Sequence, residues 1–152
     1  MDENKEKWRV VLAAEAQLEQ VTDLALALWP ASVRTVLRQE MAEILADEEA
    51  AVFLLLVGDE AAAFAQVGRR QDYVEGTDSQ PVGYLEGIYV RPERRRQGLA
   101  KRLLEACEAW VRKMGCTEMG SDCALDNRDS ETFHLQTGFR EAGRIICFVK
   151  KL

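Results

Sequence analysis

The chain has one histidine, three prolines and four cysteines in 152 residues. The cysteines, at positions 107, 116, 123 and 147, include no CxxC pair, so a structural zinc site of the Cys/His type has no ligand set and no metal is expected. A disulfide framework does not suit a cytosolic chain of this size. The longest apolar runs, such as AVFLLLV at 51–57, fall far short of the ~20 residues that span a bilayer. The N-terminus, MDENKEKWRVV, is charged and has no apolar stretch of the signal-peptide kind. The expectation is a cytoplasmic protein with no membrane partner. Sparse proline, ten glycines and no internal repeat leave no linker, so residues 1–152 read as one domain. What is present, 47% hydrophobic and 30% charged residues, is ordinary globular composition with enough apolar surface for a core.

Charge is unevenly placed. The net charge is −6, yet the segment 91–102 (RPERRRQGLAKR) holds six basic residues and one acid. That segment is +5, and the remainder is therefore −11. An acidic body argues against nucleic-acid binding, which needs a broad basic face, and it favours the approach of a cationic substrate. The local basic run suits a small polyanion or is a solvated loop; composition alone leaves both open.

The periodicity predicts a strand at 8–13 and a helix at 16–29, closed by Pro30. Ser32 suits the N-cap of a second helix, with Val33, Val36, Leu37, Met41, Ile44 and Leu45 on its apolar face. Residues 51–57 and 61–68 form a hairpin around Gly58-Asp59, followed by a polar loop at 69–81. A strand at 82–90 leads into an amphipathic helix, Gly98 to Met114, whose stripe includes Cys107, with Gly115 as its C-cap. A strand at 117–123 then implies a parallel crossover. Asp126 or Asn127 opens a short helix, Asp126 reading as a helix N-cap rather than a ligand, and 143–150 closes the sheet.

The join between the 82–90 strand and the 98–114 helix carries the most specific chemistry. A strand runs into a basic loop containing Gly98 and then into a helix whose first N–H groups have no intrahelical partner. Those donors and the helix dipole favour phosphate. Gly98 allows close approach of backbone, and Ala100 leaves room beside the ligand. There is no GK[ST] and no GxGxxG.

Arg95-Arg96-Gln97-Gly98-Leu99-Ala100 resembles the R/Q-x-x-G-x-G/A signature of the GNAT superfamily of acyl-CoA-dependent N-acyltransferases, and Val90-x-Pro-x-x-Arg before it is similar too. The resemblance covers nearly the whole chain. It implies an α/β (α+β) GNAT fold: a mixed central sheet flanked by about four helices, with a splayed strand pair binding acetyl-CoA. It implies pyrophosphate contacts at Arg95, Arg96, Gln97, Gly98, Leu99 and Ala100, pantetheine contacts at the backbone of Ile88 and Val90, and a CoA contact at Asn127. Four stretches resemble the short aminoglycoside 6′-N-acetyltransferases more closely: 28–29 (LW), 72–77 (DYVEGT), 81–90 (PVGYLEGIYV) and 121–127 (SDCALDN). That resemblance implies acetyl transfer to the 6′-amino group of an aminoglycoside, antibiotic resistance and a homodimer, across which Ile145–Val149 could pair.

Direct acetyl transfer needs a neutral amine and a group to accept its proton. Glu86 is an acid in an otherwise apolar strand; it either points to water at an edge or serves the cleft, with Gly87 permitting a bulge that re-aims it. Asp122 ends a strand where active-site residues of α/β sheets gather, or it caps the next turn. By resemblance Asp122 binds the amine; the choice of base between the two carboxylates is open. Trp29, Tyr73 and Glu75 are implied to line the sugar cleft, against the alternative of edge packing. His134 stands where many GNAT enzymes have a tyrosine that protonates the departing thiolate. It could act so, contact CoA, or pack on its helix.

Two other functions fit the same residues. One is acetylation of another amine, a polyamine or a protein N-terminus. The other is an acyl-CoA sensor that binds without turnover. The retained carboxylates favour an enzyme.

Overall fold

The computed structural model describes residues 7–152. Strands β2 (Ala50–Val57) and β3 (Glu60–Arg70) form the antiparallel hairpin at the centre of a five-stranded sheet ordered β1-β2-β3-β4-β5. Gly58, at φ +60°, makes the turn between them. β1 (Trp8–Leu12) flanks β2, and β4 (Val82–Val90) flanks β3, both antiparallel. β5 (Met119–Ser121) lies parallel to β4, as the intervening helix requires.

The apolar run of β2 is explained by cover on both faces. Helices α1 (Leu18–Leu28) and α2 (Arg34–Ala46) seal one face, where Leu24, Leu37, Met41, Val52, Leu54 and Phe64 are buried. Helix α3 (Leu99–Lys113) seals the other with Leu103, Leu104, Cys107 and Val111. Burial pushes the Cys107 thiol up to about 12, as befits an inert core cysteine. Gly83 is the point of closest approach, since a Cβ there would meet Val111 at 2.5 Å. Each buried Leu or Phe contributes roughly 1.5–3 kcal/mol, so both layers are needed.

Three expectations are corrected. The N-cap of α2 is Val33 rather than Ser32, and Val33 and Val36 are 62% and 56% exposed. Arg34 and Arg38 instead bind Glu19 and Asp23 of α1, so the contact between the two helices includes surface ion pairs beside the apolar Leu37 and Met41. The N-cap of helix α4 (Arg128–Gln136) is Asn127, whose Oδ1 accepts from the Ser130 N–H at 3.2 Å; Asp126 instead offers its carbonyl to Arg128. Residues 143–150 do not close the sheet. They run without a strand partner, and Ile145, Ile146, Phe148 and Val149 are 81–95% exposed. Apolar side chains on both faces are the pattern of a strand covered on both sides, and nothing among the described residues covers them.

Candidate active site

The site begins where β4 and β5 separate. Their pairing is confined to Gly83–Leu85 and Met119–Ser121. Beyond it β4 continues from Glu86 to Val90 with no strand on that edge among the described residues, while β5 ends at Ser121. The register of β4 against β3 slips at this point: Val67 faces Leu85 and Gln66 faces Gly87, leaving Glu86 unpaired as a bulge. The re-aiming that Gly87 permits is therefore present. Gly87 also lets Trp29 approach, since a Cβ would meet the indole at 2.8 Å. Trp29 caps α1 and packs edge-on against Phe64 at 6.2 Å.

Gly68, Tyr84 and Gly120 lie side by side across β3, β4 and β5, and a Cβ at Gly120 would meet the Tyr84 ring at 3.3 Å. Its hydroxyl donates to Asp122 Oδ2. Burial first, then that hydrogen bond, pushes the Tyr84 hydroxyl up to about 12. Over the ring lies the Arg70 guanidinium, 3.4 Å from the centroid. Arg70 also grips both oxygens of Glu86, with Nη2 at 2.8 and 2.9 Å and Nε at 3.1 Å. Glu86 and Asp122 thus belong to one cluster, linked through Arg70 and Tyr84. Asp122 keeps its Oδ1 without a protein partner among the described residues.

His134 points back at β5. Its Nδ1 is 2.6 Å from the Ser130 carbonyl and its Nε2 is 2.7 Å from Ser121 Oγ. A carbonyl only accepts, so the Ser130 contact places a proton on Nδ1, while Nε2 faces Ser121 Oγ, which also donates to the Leu85 carbonyl at 3.3 Å. The ring also packs edge-on against Phe139 at 5.0 Å.

On the other side of the opening, a short 3₁₀ turn (Pro92–Arg94) leads into α3. Arg96 and Gly98 both have left-handed backbone, at φ +63° and +76°, and no side chain caps the helix. Such alternation turns successive N–H groups toward one point, which is an anion cradle. Gln97 is exposed between them. The Leu99 side chain is buried and Ala100 packs on the core, so both offer only backbone. Arg95 is partly committed, its Nε donating to the Val90 carbonyl at 2.9 Å. Ile88 and Val90 point their side chains into the α3 core, and their backbone lies on the open stretch of β4.

Two expected residues stand apart. Tyr73 is 68% exposed in the loop after β3, with no ring partner among the described residues. Glu75 lies against Gly143, 3.6 Å from the position of a Cβ there. Neither touches Glu86 or Asp122. Three residues of the cluster were not singled out from the sequence: Arg70, Tyr84 and Ser121. Alternation along β3 and β4 is the signal that could have placed the first two on the Glu86 face.

Residues 18–139 match the model of the acetyltransferase (GNAT) family. An aminoglycoside N(6′)-acetyltransferase type 1 of Acinetobacter haemolyticus is 41% identical over 140 residues, covering 92% of this chain and 96% of that protein. One of Serratia marcescens is 40% identical, covering 94% and 99%. Among solved structures, AAC(6′)-Iy in complex with CoA superposes with a TM-score of 0.95 at 34% identity over 100% of both chains. The same enzyme with a bisubstrate analogue, CoA-S-monomethyl-acetylneamine, gives 0.92 at 35% identity over 96% and 99%. The chain belongs to the GNAT acetyltransferase family, within its group of aminoglycoside 6′-N-acetyltransferases.

Proposed function

We propose that the protein transfers acetyl from acetyl-CoA to the 6′-amino group of an aminoglycoside by direct attack, and so confers resistance. The observation that carries this is the pairing of a backbone-built anion cradle with a carboxylate cluster across one opening in the sheet. Acetyl-CoA fits the first half: the uncapped start of α3 with Arg96, Gln97, Gly98, Leu99 and Ala100 for pyrophosphate, the open edge at Ile88 and Val90 for pantetheine, and Asn127 beside it. It supplies the thioester acetyl group. A polycation fits the second half, where Glu86 and Asp122 hold ammonium groups and Trp29 gives an apolar wall. Tyr73 and Glu75 extend the cleft along the loop.

Asp122 is the better base. Both Glu86 oxygens are held by Arg70, whereas Asp122 Oδ1 is available to take the amine proton, directly or through water. Backbone N–H groups along the open β4 edge can hold the carbonyl oxygen as it gains charge. His134, carrying its proton on Nδ1 toward Ser130, has none on Nε2 to give a thiolate while neutral, so a catalytic part for it runs through Ser121 or is small.

The homodimer belongs to the same proposal, as does a single domain over 1–152. A groove of about 490 Å³ lies beside β5, lined in part by Val111, Cys116, Met119 and Phe139. The exposed arm 144–152 of a second copy suits it, and β5 has an edge with no strand on it. Deleting the residues after Gly143 is expected to leave a monomer by sedimentation; an unchanged dimer would overturn the arm's part. No helix among the described residues is long and apolar enough to cross a membrane, and a co-substrate kept in the cytoplasm supports action there.

The test of the reaction is CoA thiol release with kanamycin, tobramycin, a 6′-hydroxyl aminoglycoside and spermidine. Turnover with the 6′-amino drugs alone is expected. Turnover with spermidine alone would point to another amine, and acetyl-CoA binding with no turnover would point to a sensor.

A further inference from the structure

Arg69 and Arg70 end β3 on opposite faces of the sheet and have different surroundings. Arg69 is anchored: Nη2 and Nε bind Glu49 at 2.5 and 2.6 Å, Nη1 donates to the Met114 carbonyl, and the side chain is 25% exposed. Arg70 is 42% exposed, and its guanidinium lies among the groups that a substrate ammonium would seek. It has the Glu86 carboxylate at one side and the face of Tyr84 beneath it, and that tyrosine is bonded to Asp122. A carboxylate beside an aromatic face is the chemistry that recognises an organic cation.

We propose that Arg70 is a resident cation, exchanged for an ammonium group of the substrate when a polycation binds, and that it thereby sets which cations the cleft selects. The proposal rests on the reading of this cleft as a polycation site. The exchange balances: one Arg–Glu86 ion pair opens and one ammonium–Glu86 ion pair forms, with no proton gained or lost. The exposure of Arg70 gives the released guanidinium a way into water, so no buried charge is left alone. With Arg70 in place, the three groups Glu86, Asp122 and Arg70 sum to one negative charge; without it they sum to two. A substrate with several ammonium groups gains from exchange, because its remaining charges still meet Asp122. A monoamine merely replaces one cation by another. Arg70 therefore sets a threshold that every cation must meet, and only one with further charges to place beside Asp122 recovers the cost.

The test is calorimetric titration of a 6′-amino aminoglycoside, and separately of spermidine, into the wild type, Arg70→Gln, Arg70→Lys, Glu86→Gln and the Arg70→Gln/Glu86→Gln double variant. Thermal melting checks that each variant is folded. Arg70→Gln is expected to bind either polycation about three- to ten-fold more tightly. Arg70→Lys should fall between, since it keeps the charge and loses the planar fork. The gain should vanish when Glu86 is already glutamine. In turnover, KM for the aminoglycoside should drop by a similar factor with kcat within about twofold. Unchanged or weaker binding by Arg70→Gln overturns the exchange. So does a gain that persists without Glu86, or a fall in kcat at constant KM that Arg70→Lys restores, which would mark Arg70 as a fixed support for Glu86. A wild type that binds polycations but releases no CoA sinks the transferase reading and leaves the exchange result standing. Failure of wild type and Arg70→Gln alike to bind any polycation overturns the exchange.

Discussion

The two sides of the opening between β4 and β5 are built from different materials. The cradle at the start of α3 is made of backbone: left-handed Arg96 and Gly98, an uncapped helix end and an unpaired strand edge. The opposite side is made of side chains, Glu86, Asp122, Tyr84, Arg70 and Trp29, delivered by four separate parts of the chain, with Tyr84 and Glu86 together on β4. Backbone recognition suits a ligand part that never varies, such as a pyrophosphate, and it tolerates many side-chain changes. Side-chain recognition can be retuned one residue at a time. If this division holds, substitutions on one side should leave binding on the other untouched.

The largest effect is expected from Asp122→Asn. Removing the proposed proton acceptor should lower kcat by about 100-fold or more, while acetyl-CoA binding measured by calorimetry stays within about twofold of wild type. Weakened acetyl-CoA binding would break the division. Next is Gly98→Val, which places a β-branched residue at φ +76°. Strain of about 1–2 kcal/mol should raise the Kd for acetyl-CoA roughly ten-fold, with aminoglycoside binding unchanged. Equal loss on both sides would mean that the cradle and the cluster move as one unit.

The same contrast explains what could be read from residue order. Elements set by local pattern came through: β4 spans Val82–Val90 as alternation and turn signals suggest, and α3 begins beside Gly98. The cradle was legible for that reason, since its glycine, basic run and helix start are contiguous. Glu86 was legible as a charge in an apolar strand. Arg70 was not, because its meaning lies in Tyr84 and Glu86, which stand 14 and 16 residues further along the chain. The C-terminal arm failed for a related reason. Its sequence is that of a covered strand, and periodicity gives a strand's burial without saying which sheet it enters.

A smaller effect is expected from His134→Ala. With Nδ1–H on the Ser130 carbonyl and Nε2 against Ser121 Oγ, the ring serves first to hold α4 against β5. A thiolate with an ordinary pKa of about 8.5 leaves without much assistance. The variant should lose less than about ten-fold in kcat, and Ser121→Ala less again. A loss of about 100-fold in both would reveal a proton path through this pair and would add a catalytic element to the cofactor side.

The smallest effect, and the sharpest test of how the cluster is held, is Tyr84→Phe. Burial and the bond to Asp122 raise the Tyr84 hydroxyl from its ordinary 10.0 to about 12. The fold therefore favours the protonated phenol. That contribution is fully present below about pH 10 and is lost as pH rises through about 12. The phenylalanine variant lacks it at every pH. It should be less stable at neutral pH by about 1 kcal/mol, for one lost hydrogen bond, and the gap to wild type should close in denaturant melts between pH 10 and 12. Every other side chain is the same in both proteins, so the difference between the two curves isolates Tyr84. Turnover should change less than about threefold, because Asp122 Oδ1, the oxygen assigned to the amine proton, is not the one that Tyr84 holds. A stability gap that stays constant with pH would mean the hydroxyl does not titrate against Asp122, and a large fall in turnover would move the tyrosine from support into the chemistry.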